Sequence, residues 1–236
     1  MEPTKADRLQ CILENRHSER GPFDPGWPVS ERELAYIVDA ARWAPTAHNM
    51  QNFRLVVVDD RHVLARLGAT RCPVSPTFIV ENFRQLSVSA DQLAERGTGL
   101  PGTMFPAAWH TDDPARVPSH GSQLLGDALA GAPMFIVVVF DASERAPDFE
   151  ADVQGMISLG CVVENMWHAA HTCHLDVQLV SAIAGTEAEL EVRRQLGIPP
   201  PWRIALGLRL GHARSRSSEL RVRRAPATFV SRNRFA

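Results

Sequence analysis

The sequence predicts a layered protein in which helices pack on strands, α/β or α+β in class. Three observations carry this. Apolar runs rich in β-branched residues stand at 53–58 and 134–140 (MFIVVVF), with further strand-like stretches at 177–180 and 202–210. Such runs read as strands buried on both faces. Between them, apolar residues recur at helical spacing. Capping residues, Gly and Pro mark where those stretches start and stop. No repeat or linker divides the 236 residues. The expectation is one domain over 1–236, with a lid-like or irregular insertion at about 70–120.

Composition narrows the function. Hydrophobic content of 44% with 22% charged residues is that of an ordinary globular protein. A formal net charge of -2 argues against a general nucleic-acid or membrane-surface role. No apolar run approaches a membrane span. The start, MEPTKADRLQ, has no hydrophobic signal region, so the expected location is the cytoplasm. Cys11, Cys72, Cys161 and Cys173 show no paired spacing and are expected as free thiols.

In chain order, 7–15 reads as a helix with Leu9, Ile12 and Leu13 on one face. Arg16-His17-Ser18-Glu19-Arg20 then leaves it as an extended segment, and the Gly and Pro residues of 21–26 make a loop. Arginine offers a planar fork of donors suited to phosphate and to polarised carbonyls. A second helix starts at Ser30, three residues before Glu33, which is capping-box spacing. Leu34, Ile37, Val38 and Ala41 form its apolar face, and Pro45 ends it. The polar turn 46–52 then leads into the first strand run, where a short loop between two rigid elements can hold hydrogen-bonding groups for a ligand.

Residues 61–67 read as a short helix. The stretch 70–120 is rich in Gly and Pro, with a helix expected at 89–95. Phe105 and Trp109 within it are candidates for shaping a pocket. Residues 123–130 read as a helix that Gly131-Ala132-Pro133 breaks. A long helix is expected over 148–173, with Gly155 and Gly160 suggesting close approach of another backbone. A loop follows at 181–185. Thr186 and Glu189 suggest a second capping box, and Gly197 a helix stop. The tail 213–236 is basic, with Arg214, Arg216, Arg221, Arg223, Arg224, Arg232 and Arg234. In a slightly acidic chain, a local anion site explains such a tail better than nucleic-acid binding.

The long helix ends in His168-Ala-Ala-His171-Thr-Cys173-His174. Successive i+3 steps drift around a helix, whereas zinc sites favour i, i+4, and no H-E-x-x-H occurs. No metal is expected there; polar histidines would suit the helix C-terminus if protonated. Walker and G-x-S-x-G motifs are absent. What remains is a set of separated anion-capable groups: Arg16 and Arg20, the 46–51 turn, and Arg221 to Arg224. A ligand with a phosphate at one end and a flat polar ring at the other would use them.

Three stretches then carry a resemblance. Arg16-His17-Ser18-Glu19-Arg20 is similar to an R-[RH]-S-x-[RK] signature. Residues 40–53, AARWAPTAHNMQNF, are similar to A-A-x-x-A-P-S-x-x-N-x-Q-P-W. Ser158-Leu159-Gly160, Asn165 and Ala169-Ala170 match a central dimer helix. In this order the chain resembles the FMN-dependent nitroreductase family, outside about 70–120. The resemblance implies an α+β fold, a mixed sheet flanked by helices, and an intertwined homodimer with FMN at the subunit interface. By position, Arg16 would meet the FMN phosphate. Ser18 and the backbone at His17 would hold the ribityl chain, and Arg20 would reach the N1/C2=O edge of the ring. From the second subunit, Pro45, Thr46, Ala47 and Asn49 would contact the ribityl and phosphate side. Ala182, Ile183, Ala184 and Gly185 match the loop whose backbone N–H faces flavin N5. One or both of Arg223 and Arg224 would complete the phosphate site.

The implied activity passes hydride from NADH or NADPH to flavin and then to a nitroaromatic, quinone or similar acceptor, in ping-pong order. The flavin does the chemistry, so no side chain is named as catalytic. Two alternatives within the resemblance are a flavin- and oxygen-dependent dehydrogenase of a biosynthetic intermediate and a non-catalytic FMN-binding homologue. A small-molecule substrate is expected, without nucleic-acid or membrane partners. This chain departs from the family pattern at Asn52 (Pro), Phe53 (Trp) and His174 (Gly), and its N5 loop has Ala182 and Ala184 where some members have Pro and an acidic residue.

Overall fold

The computed structural model describes residues 2–73, 75–101, 109–111, 113–116, 124–129, 131–147, 152–215 and 221–235. In chain order its elements are α1 (Lys5–Asn15), α2 (Glu31–Arg42), β1 (Arg54–Val58), α3 (Arg61–Gly68), α4 (Pro76–Leu86), β2 (Ser87–Val88), α5 (Ala90–Arg96), β3 (Leu100–Pro101), α6 (Leu124–Leu129), β4 (Met134–Asp141), α7 (Val153–Thr172), β5 (Asp176–Val180), α8 (Thr186–Leu196) and β6 (Trp202–Gly211). They fall into two compact units. One comprises Met1–Cys72 and Gln123–Ser217, the other Pro73–Ser122 and Ser218–Ala236. The fold is α+β. No described helix is long and apolar enough to cross a membrane.

The first unit is built on one sheet of order β1-β4-β6-β5. Each pair in it is antiparallel, where a mixed sheet was expected. β4 lies inside, and every residue from Met134 to Val139 is buried. Its alternation splits the core in two. Met134, Ile136 and Val138 join Ile37, Ala41 and the buried side of α7 on one face. Phe135, Val137 and Val139 join residues of α3, α6 and α8 on the other. Each fully buried side chain of this kind contributes about 1.5–3 kcal/mol by leaving water. That pattern, apolar on both faces, is why the run MFIVVVF sits mid-sheet.

Several expectations change against the structure. The 53–58 run was expected to be a buried strand, but β1 is an edge strand paired only with β4, and only its Val58 is buried. Ser30 and Glu33 do form a reciprocal capping box on α2. The second box does not form: Gly185 is the N-cap of α8, and Glu189 is buried with both carboxylate oxygens on Arg203, at 2.5 and 2.7 Å, and accepts the Ile204 N–H at 3.0 Å. A charge-assisted pair outcompetes a cap. In α7, nothing lies within 4 Å of where a Cβ on Gly160 would sit. The close approach inferred from that glycine is therefore not made among the described residues.

The N-terminal segment docks on the free edge of β5. Glu19 N–H donates to Val177 O at 2.9 Å. Further on, Phe23 bridges Ala213, and Asp24 N–H reaches His212 O at 2.8 Å.

In the second unit α4 carries Ile79 and Val80 against Trp109, and β2 pairs in parallel with β3. α5 ends at Gly97 in the left-handed region, φ 65°. A Cβ there would lie 2.9 Å from the Arg223 backbone, so the tail passes closely over the end of α5.

Candidate cofactor site

Residues 16–20 form an extended strip whose side chains alternate. Glu19 is fully buried and Arg20 exposed, while His17 and Glu19 share one side. Arg16 lies against α7 with its side chain 19% exposed, while Arg20 is exposed to solvent.

The strip is clamped by two residues one turn apart on α7. Trp167 Nε1–H donates to His17 O at 3.1 Å. His17 N–H donates to His171 Nε2 at 3.1 Å. The Arg16 guanidinium lies 4.5 Å above the Trp167 ring, a cation–π stack, and 3.9 Å from Glu164. His171 accepts a hydrogen bond, so it is neutral. Burial, then the nearby His17 and Arg16, pull its pKa down to about 4 against an opposing pull from Asp176. The helix-end role open to a protonated histidine is therefore not that of His171: at neutral pH it is an acceptor holding the strip.

Behind the strip lies Arg209, 1% exposed. It donates to Ala128 O at 2.8 Å, Glu19 O at 3.1 Å and Gly21 O at 2.8 Å. Burial lowers its pKa to about 10, with Glu19 opposing, which leaves it charged. The sequence pattern gave no sign of this, because Arg209 interrupts an apolar strand.

The 46–52 turn is a second centre. His48, Asn49 and Gln51 all have φ near +50°, costing non-glycine residues about 1–2 kcal/mol each. Such strain persists where surroundings over-determine it, often at functional sites. Here Ala47 N–H is held by Ser158 Oγ at 2.9 Å. Thr46 Oγ1 accepts from Gln51 N–H at 3.2 Å, and Asn49 Oδ1 from Gln51 Nε2 at 3.1 Å. Thr46 and Asn49 thus brace the turn, and their hydroxyl and amide donors are the groups a ligand would use. Asn52, where the family pattern has Pro, exchanges two hydrogen bonds with the Asp141 backbone at 2.9 and 3.0 Å. A small open cleft lies beside the turn, lined among others by Thr46, Ala47, Phe53 and Met156.

A third centre is the 3-10 turn Ala182–Ala184. Ile183 is fully buried, and Gly207 of β6 leaves it room. Ala184 N–H is taken by Ser181 O at 3.0 Å. The Gly185 N–H, on an exposed residue, has no acceptor among the described residues.

Within one chain, the strip and the strained turn do not form one site. The strip meets α7 at Trp167 and His171, the strained turn at Ser158. At 1.5 Å per residue these anchors are about 13–20 Å apart along the helix. Arg223 and Arg224 belong to the second unit, where Arg223 Nη1 donates to Val222 O at 2.7 Å and Arg224 sits 5.7 Å from the Phe229 ring. Trp109 is in that unit too, and Phe105 lies outside the described residues.

An antiparallel sheet between helical layers, with the Arg16–Arg20 strip docked on its edge, is an α+β fold. The chain belongs to the Nitroreductase family, whose model matches residues 13–212. It is 25% identical over 219 residues to a nitrobenzene nitroreductase of Ectopseudomonas oleovorans, covering 87% of this chain and 86% of that one. In fold it is similar to a nitroreductase with bound FMN from Desulfitobacterium hafniense (TM-score 0.59, 18% identity, 98% of both chains). It is also similar to an FMN-dependent nitroreductase from Clostridium difficile (TM-score 0.59, 17% identity, 95% of this chain and 98% of that).

Proposed function

We propose that this protein is an FMN-dependent oxidoreductase working as a homodimer, with NADH or NADPH as reductant and a nitroaromatic, quinone or similar flat acceptor. The observation that carries the reading is the clamped strip. Trp167, His171 and Val177 hold its backbone, so Arg16, Ser18 and Arg20 need little reordering to receive a ligand. Two guanidiniums and a hydroxyl suit a phosphate joined through a polyol to a polar ring.

FMN, when bound, would supply the two-electron chemistry, taking hydride at N5 from the nicotinamide and passing it on. Arg16 neutralises the phosphate. Arg20 opposes negative charge on the ring's N1/C2=O edge, favouring the reduced state. Gly185 N–H is the available donor toward N5. Thr46, Ala47 and Asn49 act on the ligand of the other subunit. The separation of strip and turn along α7 supports this arrangement, as do exposed apolar side chains on the same unit: Leu9 on α1, Tyr36 and Trp43 at α2, and Val153, Met156 and Ile157 on α7. An apolar surface of this kind marks an interface.

The test is a visible spectrum of freshly purified protein, then anaerobic addition of NADH and NADPH. A flavin band that bleaches is the expected result. A colourless protein that takes up no added FMN would overturn the cofactor assignment.

A further inference from the structure

We propose that His17, Glu19 and Asp176 form a divalent-metal site of the zinc class, on the inner side of the strip. The flavin reading uses Arg16, Ser18, Arg20 and the backbone at His17, but none of the side chains of His17, Glu19 and Asp176.

One atom from each residue converges: His17 Nε2, one Glu19 oxygen and one Asp176 oxygen all lie within 4.8 Å of one another. In each residue the other polar atom is tied to backbone. His17 Nδ1 is 3.1 Å from Asn15 O. A carbonyl only accepts, so Nδ1 carries the proton and Nε2 is left to face the carboxylates. Glu19 Oε1 accepts Gly21 N–H at 2.7 Å, and Asp176 Oδ2 accepts Ala213 N–H at 2.9 Å. Metal ligands are oriented by such outer contacts: a histidine's second N–H on a carbonyl, and carboxylates held by donors.

The spacings also favour an ion. His17 Nε2 lies 3.4 Å from Asp176 Oδ1 and 4.0 Å from Glu19 Oε2. A direct charge-assisted hydrogen bond would be about 2.7–2.9 Å. Two ligands each about 2.1 Å from one tetrahedral ion are about 3.4 Å apart. The His17–Asp176 edge already has that length; Glu19, 4.0 Å from His17 and within 4.8 Å of Asp176, closes on both when an ion binds. Charge agrees. Arg209 lies beside Glu19 and offsets one of the two carboxylates. A dication at the convergence offsets the other.

Glu19 is buried, whereas His17 and Asp176 are 24% and 16% exposed, so the ion's fourth position opens toward solvent. One imidazole and two carboxylates suit Zn²⁺ or Co²⁺ better than Mg²⁺ or Ca²⁺, which prefer all-oxygen ligands.

The test uses the full chain, chelator-treated and flavin-free, titrated with Co²⁺ and then Zn²⁺. The expected result is one equivalent of Co²⁺ with the intense visible bands of four-coordinate cobalt and no sulfur charge-transfer band, displaced by Zn²⁺. Asp176→Asn keeps an acceptor for Ala213 N–H and should weaken Zn²⁺ binding at least about tenfold in calorimetry. Glu19→Gln should do the same, and each variant's urea midpoint reports that it folds. The weak spectrum of six-coordinate cobalt, absence of binding, or an affinity unmoved by Asp176→Asn would each overturn the assignment. The first two would leave the three side chains as a structural contact between the strip and β5; the third would put the ion elsewhere, as at Cys173 and His174.

Discussion

Replacing His171 by Leu removes the acceptor of the His17 N–H and keeps a side chain of similar bulk. The native bond is 3.1 Å long and half-buried on α7. A buried N–H left without a partner costs about 1–3 kcal/mol. That cost has two places to appear. If the strip stays docked in the flavin-free protein, folding stability drops by that amount and the urea midpoint falls. If the strip loosens to give the N–H to water, stability is spared and the cost returns when FMN binds. In that case the dissociation constant rises about 5- to 150-fold. Flavin fluorescence titration and urea denaturation on the same samples separate the two. Trp167 still anchors His17 O, so the strip shifts without being lost. His171→Gln can present an amide oxygen to the same N–H and should recover most of the effect. The reasoning is refuted if the Leu variant matches the parent in both FMN affinity and urea midpoint, or if Gln is as damaging as Leu.

Three further outcomes follow from other contacts. In Gly207→Ala the new Cβ would collide with Phe135 Cζ and lie 2.5 Å from its Cε2 and 3.0 Å from Ile183 Cδ1; overpacking of about 1–3 kcal/mol should outweigh the roughly 0.5–1 kcal/mol that losing a strand glycine gains, and urea denaturation at or above parental stability would contradict this. Burial raises the pKa of Glu189, but its bonds from Arg203 and Ile204 outweigh that and hold it below 4.5. Its stabilisation is therefore present above the unfolded value and lost as pH falls through the folded one. The stability gap between the parent and Glu189→Gln should narrow from about pH 6 to pH 3, and a constant gap would show that the charge plays no part. Arg20→Ala should lower FMN retention or the flavin reduction potential, and a potentiometric titration that finds neither removes Arg20 from the ring edge.

What could be read along the chain was what depends on near neighbours. The Ser30–Glu33 box, the stop at Pro45 and the apolar run through β4 are set by residues within a few positions of one another, and the structure reproduces them. The strip Arg16–Arg20 and the turn at Thr46–Asn49 were also legible, because a rare residue pattern marks them.

Tertiary structure decided the rest. Whether β1 sits at an edge depends on which strands pair, and its own residues do not record that. Glu189 was legible as a cap only while Arg203, fourteen residues away, was out of view. His171 and Trp167 read as an ordinary helix end until the strip, about 150 residues earlier, docked on them. His17, Glu19 and Asp176 became one cluster only when the strip paired with β5. Long-range hydrogen bonds and buried charges are selected by what folding brings within about 3 Å, so local sequence determines the elements and their termini, while packing determines which polar groups meet and what they can bind.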